Sequence, residues 1–521
     1  MSPPGAGPLV RVGVVAMVLA LAACSQGSAP SGKAAEAATG KPAALAGAAD
    51  GPVAVPSSPT APGGRGAPPT PPTPPTPAPT LPTPAPTPPT PAPTPPTPAP
   101  SPPARAPSPP AAARPRPTAP AAPDPTPTPP AERPGTPTDV AVLAAEVAAV
   151  RGLDLLRPLD ARALPGPELA DKLASLAEDE GAETREARRR LLVALRLVPP
   201  DVDVETVVRE LYSEQVIGLY VPAEITLYVA ADAGSLTPYQ QLTAAHEIAH
   251  ALQDQHHDLE RLRAGVEQDA DAALALLALI EGDAVVTQQR WSAANQTSSD
   301  LRSVRAEAAA RSAGALVRAP DAVMNAVLFP YREGVAFVQA LIAEGGQGAV
   351  DAAFADPPTS TEQILDPVGY LARDAPVDVR VRTAPGPGWT DRGTEPLGAF
   401  DLRETFAALG DERAAAIAAG WGGGQARTWH RGEEVAVAAV LAFDSPADAT
   451  EACAGVPDWY RAVAGGSAGP GGDLLRGDRD VLSVRCEPTA VHLGLAPDAA
   501  TAGRLAGSVG LPPAGSPRAE S

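Results

Sequence analysis

Apolar positions fall along this chain in three different patterns. The first is one unbroken run, Val12 to Ala23, preceded by Arg11. It is long enough for the core of an export signal and too short to cross a bilayer as a mature helix. The second pattern, from about Gly51 to Pro137, has no period at all: it is PTPPTPAPT-like sequence in which proline recurs every two or three residues. The third, from about Thr138 to Pro513, carries the periodicities of a folded region, and no later stretch is expected to span a membrane.

Within the folded region, Asp139 to Val150, Pro167 to Glu178, Glu183 to Val198 and Val204 to Glu214 predict helices, the third stopped by Pro199-Pro200. GLYV and ITLYVA, either side of Pro222-Ala223-Glu224, predict a β-hairpin. A helix over Thr237 to Asp254 follows, then a long one over Val266 to Gln289, and more helix at Asp300 to Ala313 and Gly334 to Ala343. After about Asp374 the signals are mixed. ARTWH and EVAVAAVLAFD predict strands around Arg431-Gly432, and Ser445-Pro446 opens a helix as N-cap and first-turn residues. DVLSVRCE and AVHLGLA predict further strands. The class is α+β: a mostly helical region with a hairpin before one central helix, then a smaller α+β domain.

Composition changes the picture at the N-terminus. Of 67 prolines, 38 lie between Gly51 and Val140, and proline lacks an amide donor and fixes φ, so neither sheet nor helix forms there. At about 3.1 Å per residue, some eighty residues of polyproline II would reach on the order of 200 Å. A spacer is the expectation; a ligand for proline-reading domains is the rival. The apolar run ends in Leu21-Ala22-Ala23-Cys24, which resembles a bacterial lipobox and implies acylation of Cys24 and an extracytoplasmic, membrane-anchored chain. The two remaining cysteines, Cys453 and Cys486, are then an even pair in an oxidising compartment, available for a disulfide. A net charge of −20, scattered without any basic stripe, gives no footing for nucleic acid.

The chemistry concentrates in TAAHEIAHALQDQHHDLE, Thr243 to Glu260, which holds four of the six histidines. His246 and His250 are four apart, so on a helix their rings project from one face and can reach one zinc ion at about 2 Å. Glu247 lies about 100° around from His246, placed to hold an attacking water without ligating the metal. A catalytic zinc usually takes a third protein ligand. His256 has the spacing of the metzincin motif, but Gln253 stands where metzincins place the glycine of a sharp turn. Continuing helix would carry His256 about 240° away from His250. Glu281 is the favoured candidate. It interrupts an apolar stripe of Ala270, Leu274, Leu277, Ala284 and Gln288, and a buried carboxylate needs a cation or a proton. Gly282 beside it suits close approach of two helices, while Asp283 is expected to support the site or face solvent.

His246-Glu247-x-x-His250 followed by Glu281-Gly282-Asp283-Ala284 resembles the gluzincin zinc metallopeptidases, and the second segment is similar to the EGxA of the M1-type aminopeptidases. Val285 stands where other gluzincins carry an aspartate. Together with SEQVIGLY, HALQDQH, FPYREG and PPTSTEQIL, the sequence also resembles a group of uncharacterised bacterial lipoproteins. The resemblance implies a zincin-like domain over 138–373, zinc on His246, His250 and Glu281, and Glu247 as general base acting on peptide or protein. Tyr331 is then a candidate oxyanion donor, with Tyr228 and Tyr239 behind it. It implies further that the strand Ile225 to Ala230 pairs with substrate along a free edge. The remaining divisions are a signal peptide over 1–23, an Ala/Pro/Thr-rich disordered linker over 24–137, a C-terminal α+β domain over 374–513 and a tail over 514–521. The other reading is a cell-surface binding or scaffold protein with an idle or structural zinc. His430 and His492 are expected to be structural or exposed.

Overall fold

A computed structural model of the protein describes residues 140–176, 182–215, 217–230, 235–310, 319–465, 467–468 and 474–507. The expected signal peptide, the expected lipidation site Cys24, the proline-rich segment and the C-terminal tail lie outside the described residues. All described residues belong to one compact unit, and the class is mixed α+β.

The N-terminal part runs α1 (Val140–Arg151), β1 (Asp160–Leu164), α2 (Gly166–Leu176), α3 (Ala182–Ala194), α4 (Val204–Gln215), β2 (Gly218–Val221), β3 (Thr226–Ala230), α5 (Pro238–His257), α6 (Leu259–Val266), α7 (Ala270–Asn295) and α8 (Ser298–Ala310). Next come α9 (Asp321–Ala355, broken at Gly345 and Gly346), α10 (Thr361–Leu365) and α11 (Pro367–Ala372). The β2–β3 hairpin forms as expected, turned by the 3₁₀ segment Pro222–Glu224. Its sheet has a third member that the sequence pattern did not announce. β1 pairs in parallel with β3, giving the order β1-β3-β2. This overturns the expectation of a free edge at Ile225 to Ala230: β3 is bonded on both sides, and the strand facing the histidine helix is β2.

The helix expected over Val266 to Gln289 is α7, which starts four residues later, at Ala270. α6 stops at Val266, and Asp269 starts α7 by accepting from the backbone amides of Asp271 and Ala272. A side chain that satisfies two amides at a helix start makes a better terminus than an interior residue. α7 then runs beyond the expected end to Asn295, and α9 extends well beyond Gly334 to Ala343 on both sides. By length and composition α9 is apolar enough to cross a membrane, which qualifies the expectation above, and half of that apolar stretch is buried in the protein. Phe329, Phe337, Val338 and Leu341 pack it on Leu276, Leu279 and Ile280 of α7. A second core, with Val147, Leu227, Val229, Leu242 and Ile248, joins α1, the small sheet and α5.

The C-terminal part holds β4 (Thr390–Pro396), α12 (Ala399–Phe406), α13 (Asp411–Ala419), β5 (Trp421–Arg431), β6 (Glu434–Phe443), α14 (Pro446–Ala464), β7 (Ser467–Ala468), β8 (Leu474–Arg476), β9 (Val481–Glu487), β10 (Ala490–Ala496) and α15 (Ala499–Gly507). The strands form one sheet in the order β4-β5-β6-β10-β9-β8-β7. Ser445 caps α14, accepting from Asp448 N. Cys453 of α14 and Cys486 of β9 are joined by a disulfide with their Cα atoms 6.1 Å apart. His430 and His492 are both buried. α3 contributes Leu191 and Ala194 to this core, with Leu195 just after it, and its arginines bind the sheet: Arg188 meets Glu395 at 3.2 Å and Arg190 donates to Gly432 O at 2.7 Å.

The two parts meet at Asp271, which accepts from Thr361 N and Thr361 Oγ1 while Gly398 presses against its carboxyl. A Cβ at Gly398 would collide with that carboxyl. Burial pushes Asp271 up to about 8 and Glu362 likewise to about 8. Both ionise near about 4 when unfolded. Between those values the folded chain holds protons that the unfolded chain has lost, so stability falls as pH rises. His257, His430 and His492, held below the ordinary imidazole range by burial, oppose this below roughly pH 6.5. With EDTA present, the melting temperature is therefore expected to rise as pH drops from about 8.5 to 6.5, and Asp271→Asn should flatten that slope. A melting temperature that climbs with pH across the window would count against the account.

Candidate metal centre

α5 carries the site because its sequence fixes both ends. Thr237 and Gln240 form a reciprocal capping box, with Pro238 in the first turn, and Asp258 closes the helix in the left-handed conformation. Between the ends, Leu242, Ala245, Ile248 and Leu252 seat the helix in the core. His246, Glu247 and His250 are then turned inward, each no more than 2 % exposed.

α7 brings Glu281 to them. Its carboxylate Oε2 stands 3.1 Å from His246 Nε2 and 3.5 Å from His250 Nε2, and the two imidazole nitrogens are 2.9 Å apart. The three donor atoms all lie within 4.8 Å of one another, so this buried triad can hold a metal ion. Burial alone would push the Glu281 carboxyl up; the His250 and His246 rings facing it hold it instead at about 2. The close approach that permits this is backbone on backbone. A Cβ at Gly282 would strike the Gly334 carbonyl of α9, and one at Gly334 would strike the Ala278 carbonyl of α7.

The tautomer of His250 follows from its neighbours. The Gln253 amide nitrogen donates to Ile280 O and to Asp283 Oδ2, both at 2.9 Å, which leaves its oxygen facing His250 Nδ1 at 2.8 Å. Nδ1 is therefore the protonated nitrogen, and Nε2 presents a bare lone pair to the other two donors. Two imidazoles and a carboxylate converging at this range suit a metal ion. Asp283 accepts further from Arg151 at 2.9 Å and Gln347 at 3.3 Å, and Arg151 also binds Asp351 at 2.7 Å. Asp283 is fully buried and supports the site rather than facing solvent. Val285 is buried too, so the orienting role goes through Gln253. That role was missed from sequence, where Gln253 registered as a departure from a glycine rather than as a partner for a histidine three residues before it.

Glu247 Oε2 accepts from the Tyr220 backbone amide at 2.8 Å. The Tyr220 hydroxyl donates in turn to Asp254 at 2.8 Å, which ties β2 to α5 at two points. Gly218 makes the approach possible, since a Cβ there would stand 2.9 Å from Glu247 Cγ. The Tyr331 ring lies nearly parallel to His246, centroids 6.5 Å apart. Tyr228 instead donates to Glu224, and Tyr239, in the first turn of α5, is buried in the core. His256 is directed away from the triad to Asp154 O at 2.8 Å, because the helix continues through it, and His257 stacks on Phe354.

Comparison with known proteins bears on another part of the chain. A domain family described as a domain of unknown function (DUF8575) matches residues 383–506, the region of the seven-stranded sheet, and does not reach the histidine helix. No curated protein and no solved structure matches the chain.

The Gln253 contacts give a direct expectation. Gln253→Ala removes the acceptor that orients His250 and leaves Asp283 with one donor fewer, so metal affinity should drop by roughly 10–100-fold. Competition against a chelator of known affinity measures this, and an unchanged dissociation constant would remove Gln253 from the site.

Proposed function

We propose that the chain is a zinc-dependent metallopeptidase on a zincin-like fold, held by a lipid on Cys24 at the outer face of a membrane and hydrolysing peptide bonds of extracytoplasmic peptide or protein. The observation that carries the reading is the meeting of His246 Nε2, His250 Nε2 and Glu281 Oε2 within 4.8 Å, with buried Glu247 on the same helix. Two imidazoles and one carboxylate are a ligand set typical of catalytic zinc and leave one coordination position open. Bound there, zinc would supply the positive charge that acidifies water and polarises a scissile carbonyl.

The chain's own residues do the rest. Glu247, aimed by Tyr220 N, takes a proton from the attacking water and delivers it to the leaving amine nitrogen. Tyr331, beside His246, is the proposed donor to the carbonyl oxygen as negative charge develops. A structural metal would have no need of a buried carboxylate next to its first histidine, which favours hydrolysis over the scaffold reading.

Metal content measured beside turnover separates the roles. Purified protein is expected to carry roughly one zinc per chain, lost in His246→Ala. Glu247→Gln should retain zinc while hydrolysis of a peptide library falls roughly a hundredfold or more. Glu281→Gln should lose both, and His256→Ala neither. Zinc lost in His256→Ala but kept with full activity in Glu281→Gln would reverse the ligand assignment. For the anchor, Cys24→Ser is expected to abolish acylation as read by mass spectrometry; wild-type protein that carries no lipid would defeat that part of the proposal.

A further inference from the structure

Glu281 and Tyr331 share a cavity of about 150 Å³ that the hydrolytic machinery itself does not fill. Its walls come from four places in the chain. α7 supplies Leu274 and Leu277 in line with Glu281, α9 supplies Ala326 and Val327 in line with Tyr331, the α3 region supplies Leu195, and the C-terminal region supplies Phe400. Leu274, Leu277 and Ala326 are half-buried, so apolar surface is left facing the space. A chain that leaves apolar walls uncovered beside a reactive centre gains most if a ligand covers them.

We propose that this cavity seats the apolar side chain of the substrate residue adjoining the scissile bond, and that the C-terminal region, Pro396 to Glu404, is there to close it. The proposal rests on the peptidase reading above and adds what that site prefers. The size fits one side chain: about 150 Å³ is room for a benzene-sized ring. Phenylalanine and leucine are therefore the preferred residues.

The polar groups in the wall say what is refused. Asp271, Glu281, Glu395, Asp401 and Glu404 all line the space. Among the described lining residues the single cation is Arg188, and it is held by Glu395 at 3.2 Å. Burial already pushes Asp271 up to about 8 and Asp401 up to about 6, so the wall resists its own ionisation. A further carboxylate entering from a substrate would meet the same penalty, and Arg188 is already paired with Glu395. Aspartate and glutamate next to the scissile bond are excluded on this account.

The arrangement gives the matched domain of unknown function a part in catalysis. Leu397 and Phe400 reach the cavity because Gly398 lets the start of α12 press onto Asp271 of α7. The seven-stranded sheet behind them, stapled by Cys453–Cys486, holds that wall in place.

The test uses the full chain and a pool of peptides randomised around one central position, with cleavage sites read by mass spectrometry. Phe and Leu should be enriched beside the scissile bond and Asp and Glu absent. Ala326→Phe and, separately, Leu277→Trp fill the space from half-buried positions. Each should keep zinc, lower cleavage after or before Phe and Leu at least tenfold, and spare Gly and Ala. Binding is measured independently, by calorimetry, for peptide amides bearing Phe or Asp at the central position. The Glu247→Gln protein is used with and without Ala326→Phe. Binding of the Phe peptide alone, lost with Ala326→Phe, supports the pocket. Cleavage with no apolar preference, unchanged in both filled variants, overturns the pocket and leaves the peptidase reading standing. Absence of cleavage with Phe-selective binding that Ala326→Phe removes overturns the peptidase reading and retains the pocket. Neither binding nor cleavage overturns both.

Discussion

A carboxylate 1 % exposed, in the middle of a 26-residue helix and directly after the apolar run Ala272 to Ile280, is the constraint to which the surrounding structure answers. Burying an unpaired carboxylate costs several kcal/mol, and removing one partner of a buried pair costs about 3–5 kcal/mol. Glu281 Oε2 is met by His246 Nε2 at 3.1 Å and His250 Nε2 at 3.5 Å, a group that a bound cation would complete. Those imidazoles are placed by α5, whose own position depends on the small sheet at one side and α7 at the other. The contact of α7 with α9 is equally strict, since Gly282 and Gly334 admit no side chain. The site is thus clamped between helices with little freedom to relax. That rigidity suits a centre whose donors must hold their geometry whether or not a cation is bound.

How much of this was legible in the sequence depended on whether the signal was local. His246 and His250 share a face because helical spacing dictates it, and Glu281 stood out because it broke an apolar stripe. Gly282 beside it pointed to a close helix contact, although its partner, Gly334, lies fifty-two residues further on and could not be named. The pairing of β1 with β3 was invisible for a related reason. Five residues, DARAL, carry no alternation strong enough to announce a strand, and parallel pairing is decided by what lies across the sheet. Gln253 was misread because a motif comparison asks which residue is missing, whereas its importance is what its amide does. It reads the carbonyl of Ile280 and the carboxylate of Asp283, and so fixes a ring three positions earlier on its own helix.

The described residues on either side of Asp374 form one compact unit, a union that the sequence pattern does not foretell. Periodicity changes near Asp374, and the seven-stranded sheet does lie beyond it. Yet α3, from the N-terminal part, has its apolar side in the C-terminal core. A helix with Arg188, Arg189 and Arg190 in sequence exposes cations in several directions, and these find Glu395, Glu186 and the Gly432 carbonyl. Helical amphipathicity states that a face will be buried and is silent about which sheet will bury it.

The β2 edge shows how a local rule can mislead about mechanism. A free sheet edge next to a reactive centre invites pairing with an extended substrate. The expected edge, Ile225 to Ala230, is covered on both sides, and on β2 the amide of Tyr220 is spent on Glu247 Oε2 and its hydroxyl on Asp254, so that strand is bound to the helix. That geometry gives β2 a different task. By occupying one carboxylate oxygen with a backbone donor, it fixes the orientation of the Glu247 carboxylate. On the proposed mechanism the proton is carried by Oε1, whose aim is set by a strand amide rather than by a flexible side chain. The glycine that permits it, Gly218, is therefore as much a part of the base as the carboxylate: a Cβ there would stand 2.9 Å from Glu247 Cγ and force the two apart.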